Sequence, residues 1–394
     1  MTVTDAVGTE KVAPLLAGPP RTRSRLASIG INIALYVAAI AVALLLASLL
    51  IVVATDAAPG DVFHAMYEGS LSSPSAIALS LNQAMPILIV ALGAAIASRA
   101  GIINIGPEGQ LILGGIFGAV VALKIGGPPG IIIPATLVAS ALGGALWAGV
   151  AALLRFWRGV DVVISTLLLN FVAIQVLSYA LNKSWLLQET RQNVQKLPQS
   201  DRLPPDLQLP RYGSATGFTV SLGLILALVL AGLVAFALAR TRWGFQLKML
   251  GLNANAARSA GVSMVLLGGG ALVLSGAFAG LAGGVMLTAT AYRIQPGFSN
   301  NVGFDGLLVA LIARRNVLAT IPVAFFFGAL RAGGGYLAST GVPRYLVDVV
   351  QPLVVLAALL PPVILSLWDR RRALRVARRE AQIQTQPSAI GAVA

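Results

Sequence analysis

Two carboxylates stand where this chain is most apolar: Glu108 within NIGPEGQ (104–110) and Asp305 within VGFDG (302–306). A carboxylate so placed caps a helix, lines a watery path or does catalysis, and its neighbours decide which. The sequence shows no His/Asp/Ser constellation, no metal-ligand cluster and no GxxxxGK[ST] phosphate loop, and it has no Cys for thiol or disulfide chemistry. Its lone histidine, His64, falls in a polar stretch and reads as a solvated loop residue, because a metal site needs several converging donors. Two readings of the carboxylates remain. In the local one, Gly106 is an N-cap, Pro107 is the first helical residue with no amide proton to lose, and Glu108 sits in the first turn where the helix dipole favours an anion. Asp305 is placed in the same way at the start of a second helix. In the other, a broken backbone and a carboxylate inside an apolar bundle face a water-filled cavity. The residues that would then line a path are Asn104, Glu108, Gln110 and Asp305, with Thr166 and Asn170, which at i and i+4 share one helix face. Asn82, Gln83, Ser165, Gln175 and Gln351 are the other polar groups in apolar runs, suited to bonding between helices or to a ligand.

The elements that must hold these residues are membrane helices. Of the 394 residues, 57% are hydrophobic and 11% charged. Uncharged runs extend over 26–55, 71–98, 125–154, 212–239 and 259–292, each longer than the ~20 residues that cross a bilayer. The fold class is therefore all-α and polytopic, with small-residue clusters such as GAAIASRAG (93–101) and SGAFAGLAGG (275–284) at helix contacts. A net charge of +14 would suggest nucleic acid for a soluble protein, but here the positive residues mark membrane orientation and no nucleic acid is expected. Arg21, Arg23 and Arg25 precede the first run and six arginines follow Trp368, so both termini are expected in the cytoplasm and the number of spans is even. Ten helices satisfy these anchors, at about 28–54, 77–98, 107–123, 131–154, 162–182, 217–239, 262–287, 303–313, 316–336 and 345–367. The chain thus divides into a cytoplasmic tail (1–26), a transmembrane domain (27–368) and a basic cytoplasmic tail (369–394), with an external loop near 183–216 able to meet another protein. Arg331 is expected to pair with Asp348, with Arg344 as the competing partner.

Two helices, starting near Pro107 and Gly303, are short for a crossing. Their starts also match: IGPEGQLIL (105–113) and VGFDGLLVA (302–310) share branched apolar, Gly, any, acid, Gly, any, Leu and two apolar positions. Five spans lie between them, so the second copy is inverted, as in transporters whose broken helices meet at a binding site. A third segment, WGFQLKMLGLNANAARSAGVS (243–263), lies on the cytoplasmic side. Gly251, Asn253 and Asn255 interrupt it, and alanines after them suit a short helix that docks into a groove on another protein.

AGIINIGPEGQ (100–110), GVDVVISTLLLN (159–170), GFQLKMLGLNANAARSAGVS (244–263), SGAFAGLAGG (275–284) and GFDGLLVALIA (303–313) together resemble the permease subunits of ABC importers of the nucleoside and simple-sugar branch, relatives of ribose and branched-chain amino-acid permeases. The resemblance runs from about residue 77 to 365 and is strongest to the larger permease of bacterial nucleoside importers. It implies a type II importer-like permease in the bacterial plasma membrane, surrounded by lipid and without a cofactor. It also implies a separate ABC ATPase at the cytoplasmic face, a second related permease and an external substrate-binding lipoprotein. A coupling loop at about 240–261 would meet the ATPase through Gly244, Lys248, Gly251, Asn253, Ala257, Arg258 and Gly261. ATP hydrolysis would drive alternating access for an uncharged solute, a nucleoside or a simple sugar such as ribose; an ion-coupled secondary transporter is the competing class. The chain departs from the pattern at Ala313-Arg314-Arg315-Asn316, where relatives have a Gly and a Pro-containing turn, and at Lys248, where Arg is commoner.

Overall fold

The computed structural model describes residues 58–339 apart from 191–196, 214–216 and 314–315, together with scattered helical residues between 38 and 53. The chain divides into two units, 1–47 with 353–394 and 48–352, and the second is described here. Both terminal tails, the expected helix at 345–367 and most of that at 28–54 lie outside the described residues.

Eleven α-helices occur among the described residues: α1 (Pro59–Ser70), α2 (Pro74–Arg99), α3 (Pro107–Lys124), α4 (Pro129–Arg158), α5 (Val162–Leu181), α6 (Leu222–Arg240), α7 (Arg242–Leu252), α8 (Ala254–Ser259), α9 (Met264–Met286), α10 (Val302–Ile312) and α11 (Thr320–Ser339). Local chemistry sets most of their starts. Pro opens α1 to α4, where a missing N–H costs nothing. Side chains cap others: Ser73 accepts from the Ala76 N–H, Asp161 from Val163 and Ile164, and Ser263 from Leu266. Gly159, left-handed at φ 72°, ends α4. The last turns of α9 widen into a π-helix, Leu287–Ala291, closed by Tyr292 at φ 59°.

Six of these elements are long and apolar enough to cross a membrane: α2, α4, α5, α6, α9 with its π-turn, and α11 with the 3-10 turn before it. They are not equivalent. In its most apolar stretch α2 is 78% buried, against 28% for α6, so α2 is central and α6 peripheral. α9 lies against α2, α3 and α4, brought close to α4 by Gly144, Gly276 and Gly280. Large apolar side chains point outward from α4, α5 and α6, among them Leu142, Leu146, Phe171 and Phe236. Polar side chains such as Asn104, Gln110 and Asn170 are buried instead, the distribution that suits a hydrocarbon surround.

Three expectations need correction. Residues 59–70 form a helix rather than a loop, because Val62 and Ala65 bury a narrow face against Leu337 while His64 and Glu68 face outward. α6 starts at Leu222, since 219–221 instead pairs antiparallel with 211–213 as a small hairpin (β1, Arg211–Gly213; β2, Thr219–Ser221). Gly251 lies inside α7, and the break comes at Asn253. The two helices expected to be short, α3 with 18 residues and α10 with 11, are both absent from the six spans.

The long loop before the hairpin packs across the end of α9. The N–H groups of Ser200, Leu203 and Leu209 donate to the carbonyls of Ile294, Tyr292 and Thr288 at 2.8, 2.7 and 2.9 Å. Arg202 and Arg211 lie over the Tyr292 ring. Burial pushes the Tyr292 hydroxyl above its ordinary pKa against the pull of both arginines, so it remains a donor to the Ala289 carbonyl at 2.7 Å.

Candidate functional site

After α2, Gly101 turns the chain at φ 78° and residues 102–105 lead without regular secondary structure to the start of α3. A non-helical segment inside the bundle has backbone polar groups that no helix satisfies, and side chains satisfy them. Asn104 Oδ1 accepts from the Gly106 N–H at 3.0 Å, while its Nδ2 donates to Gln110 Oε1 at 2.9 Å and to Ser275 Oγ at 3.1 Å. From α5, Thr166 Oγ1 accepts from the Ile105 N–H at 3.2 Å and donates to the Val162 carbonyl at 2.7 Å. Asn170 straddles the same loop, donating to the Ile105 carbonyl at 2.9 Å and accepting from the Gly109 N–H at 2.9 Å. Asn104, Gln110, Thr166 and Asn170 are all buried and belong to one neutral network.

Gly106 and Pro107 start α3 as local chemistry dictates. The carboxylate of Glu108 points elsewhere. Its Oε1 accepts from the Asn301 N–H at 3.0 Å and its Oε2 from the Gly303 N–H at 2.8 Å. Glu108 therefore caps α10, serving the orphan donors of a helix start almost two hundred residues away in sequence. The two starts touch: a Cβ added to Gly303 would fall 2.4 Å from the Glu108 backbone nitrogen, so no side chain fits. Asn300 and Asn301 approach this junction in left-handed conformation, φ 43° and 62°, which Asn tolerates better than most residues.

Asp305 lies in the first turn of α10, but its carboxylate reaches across to α11. Arg331 Nε donates to Asp305 Oδ2 at 2.6 Å, with both side chains over nine-tenths buried. The same guanidinium donates to the Asn300 carbonyl. The expected pairing of Arg331 with Asp348 is thus replaced by Asp305, while Arg344 and Asp348 lie outside the described residues. A cavity of about 580 Å³ opens beside the junction, lined by Glu108, Ile112, Gln175, Ser178, Ser299 and Asn300 among others.

At the opposite end of α2 lies the α7–α8 segment. Asn253 caps α8, accepting from the Asn255 and Ala256 N–H groups at 3.0 and 3.1 Å. Ala257 is buried, and Gly261 turns at φ 79°. Arg258 is exposed, with one guanidinium nitrogen 3.4 Å from the Met264 sulfur, and Lys248 is also exposed. Gly244 lies against the carbonyls of Ala237 and Leu238. Gly251 meets the end of α2 so closely that a Cβ would fall 2.3 Å from the Arg99 carbonyl oxygen and 2.9 Å from the Gly101 nitrogen. The α7–α8 segment therefore touches the very loop that leads to NIGPEGQ.

The sequence does not single out Ser275, nor Asn301, nor Ser299, whose side chain hydrogen-bonds the Glu108 carboxyl. Ser275 reads in sequence as one more small residue of a packing cluster. Only its distance from Asn104 reveals its part.

Buried polar loops and paired helix starts, set among helices fit to cross a membrane, are features of carriers. Residues 76–359 match the family described as branched-chain amino acid transport system / permease component. The chain belongs to this family. Its permease relatives include the glucose ABC transporter permease protein TsgB13 of Haloferax volcanii, 32% identical over 77% of this chain and 81% of that protein. The guanosine ABC transporter permease protein NupP of Bacillus subtilis is 30% identical over 79% and 89% respectively. The nucleoside ABC transporter permease protein NupB of Lactococcus lactis is 25% identical over 74% and 81%. As a member of a permease family with several apolar helices, the chain is a multi-pass membrane protein.

Proposed function

We propose that this chain is the permease of an ATP-driven importer for an uncharged solute, a nucleoside or a simple sugar. The observation that carries the reading is the junction at Glu108, where two helix starts meet inside the bundle beside a cavity. Relatives named for guanosine, nucleoside and glucose support these solute classes. The cavity supports them too: apart from Glu108, which is engaged by two backbone N–H groups, its polar lining is uncharged amide and hydroxyl.

In this reading the chain has ten spans with both termini in the cytoplasm, and the helices starting at Pro107 and Val302 are the broken elements of an inverted repeat. Helix starts that abut nose to nose support that symmetry. Asn104, Gln110, Thr166 and Asn170 hold the first start in place. Glu108 and Asp305 tie the second start to it and to α11. A separate ATPase engages the α7–α8 segment through the exposed Lys248, Asn253 and Arg258, with Gly244, Gly251 and Gly261 giving the segment its shape; Ala257, expected among the contacts, is buried and packs the segment instead. The Gly251–Gly101 contact passes its movement to the loop before α3. A second related permease completes the channel, and relatives in two permease types from Bacillus subtilis, NupP and NupQ, support a heterodimer. An external lipoprotein delivers the solute.

The test is uptake by proteoliposomes containing the permease pair and ATPase, with binding protein outside. ATP-driven accumulation of labelled guanosine, uncompeted by glucose, identifies a nucleoside importer, and the reverse pattern a sugar importer. Accumulation driven by an ion gradient without any ATPase would refute the proposal.

A further inference from the structure

A second cavity, of about 480 Å³, lies at the α7–α8 end of the bundle, away from the Glu108 junction. Arg99, Leu238, Lys248, Leu252, Asn316 and Leu318 line it, so among the described residues it has two cations and no carboxylate. The Nε–H of Arg99, one of the lining residues, is buried without a hydrogen-bond partner. Arg99 closes the last turn of α2, where the helix dipole favours a cation, but a dipole leaves an orphaned N–H orphaned. A buried donor without an acceptor requires an explanation, and an anion supplies one.

The cavity's other walls are apolar, and they continue outward. Ala235 and Ala239 line it, and one helical face of α6 carries the row onward through Gly232 to Leu228. A Cβ on Gly232 would meet nothing within 4 Å, and Leu228 and Phe236 are exposed, so this face of the least buried span is open and apolar. Cations at the mouth and an exposed apolar helix face leading away from it match an anionic phospholipid, phosphate at one end and acyl chain along the other. We propose that this groove binds the phosphate of an anionic phospholipid through Arg99, Lys248 and Asn316, with an acyl chain lying along α6. The proposal rests on the permease reading only in placing the α7–α8 end at the cytoplasmic leaflet. Because Lys248 belongs to the segment that touches the loop before α3, a lipid held here would brace it.

The test is native mass spectrometry of the purified full chain from nanodiscs of phosphatidylcholine with or without phosphatidylglycerol. Wild type is expected to retain phosphatidylglycerol, with retention falling about fivefold in Lys248→Gln and about 25-fold in Arg99→Gln/Lys248→Gln, from roughly one surface-charge contact each. Lys248 is exposed, so the single variant folds, which its unchanged melting temperature in phosphatidylcholine would verify. Arg258→Gln removes one charge from the same end outside the groove and should retain lipid as wild type does. Equal retention in all variants, or an equal loss in Arg258→Gln, would overturn the site. Inorganic phosphate raising the melting temperature as much as phosphatidylglycerol would make the ligand a free anion. Displacement of the lipid by added ATPase would make the groove a protein socket; both results contradict the lipid assignment. ATP-driven uptake failing while the retention pattern holds would refute the importer reading and leave this site standing.

Discussion

The two helix starts inside the bundle carry similar sequences and are held in opposite ways. The first, at Gly106, is fixed by neutral amides and hydroxyls from α5 and α9, which reach the loop's backbone from two sides. The second, at Val302, lacks such a cage and is held by charge: a carboxylate from α3 on its N–H groups and an arginine from α11 on Asp305 and the Asn300 carbonyl. Neutral networks depend on many short, directed bonds and define one geometry. A few charged contacts concentrate the holding energy in groups that a moving helix can release together. If the chain alternates between two states as proposed, the first start would serve as the scaffold and the second as the latch.

The largest expected effect is at the latch. Arg331→Gln breaks the buried ion pair with Asp305 and should destabilise the solubilised protein by about 3–5 kcal/mol in a denaturant titration. Glu108→Ala should follow, at about 1–3 kcal/mol, because two backbone N–H groups lose their acceptor. Asn170→Leu, in the scaffold, orphans the Ile105 carbonyl and the Gly109 N–H and should cost about 1–3 kcal/mol, with uptake lost in proportion to folded protein. Equal responses of uptake per folded molecule in the Glu108 and Asn170 variants would erase the distinction between latch and scaffold. The smallest effect on stability is at Arg258→Ala, within about 0.5 kcal/mol for an exposed side chain. Its consequence should appear instead as loss of ATPase stimulation in the assembled complex.

What the sequence disclosed follows the range of the forces involved. Gly106 and Pro107 announce the start of α3 because N-capping acts within one turn. The grouping of Thr166 with Asn170 was legible from helical period alone. The target of the Glu108 carboxylate was not, since its partners are 193 and 195 residues away and are backbone groups with no sequence signature. Proximity along the chain suggested Asp348 for Arg331, yet the fold lays α11 beside the start of α10. α1 escaped notice because its buried face comprises little more than Val62 and Ala65 among polar neighbours, too few to show a period.

The central claim is that Glu108 joins a fixed helix start to a movable one in an ATP-driven permease. Its most direct test is the initial rate of ATP-driven guanosine uptake by the complete complex carrying Glu108→Gln, which keeps the side chain's shape and one acceptor oxygen. The account predicts an assembled complex with uptake per folded molecule reduced by about tenfold, the weight of one charged contact. Uptake at the wild-type rate from an equally assembled complex would contradict it.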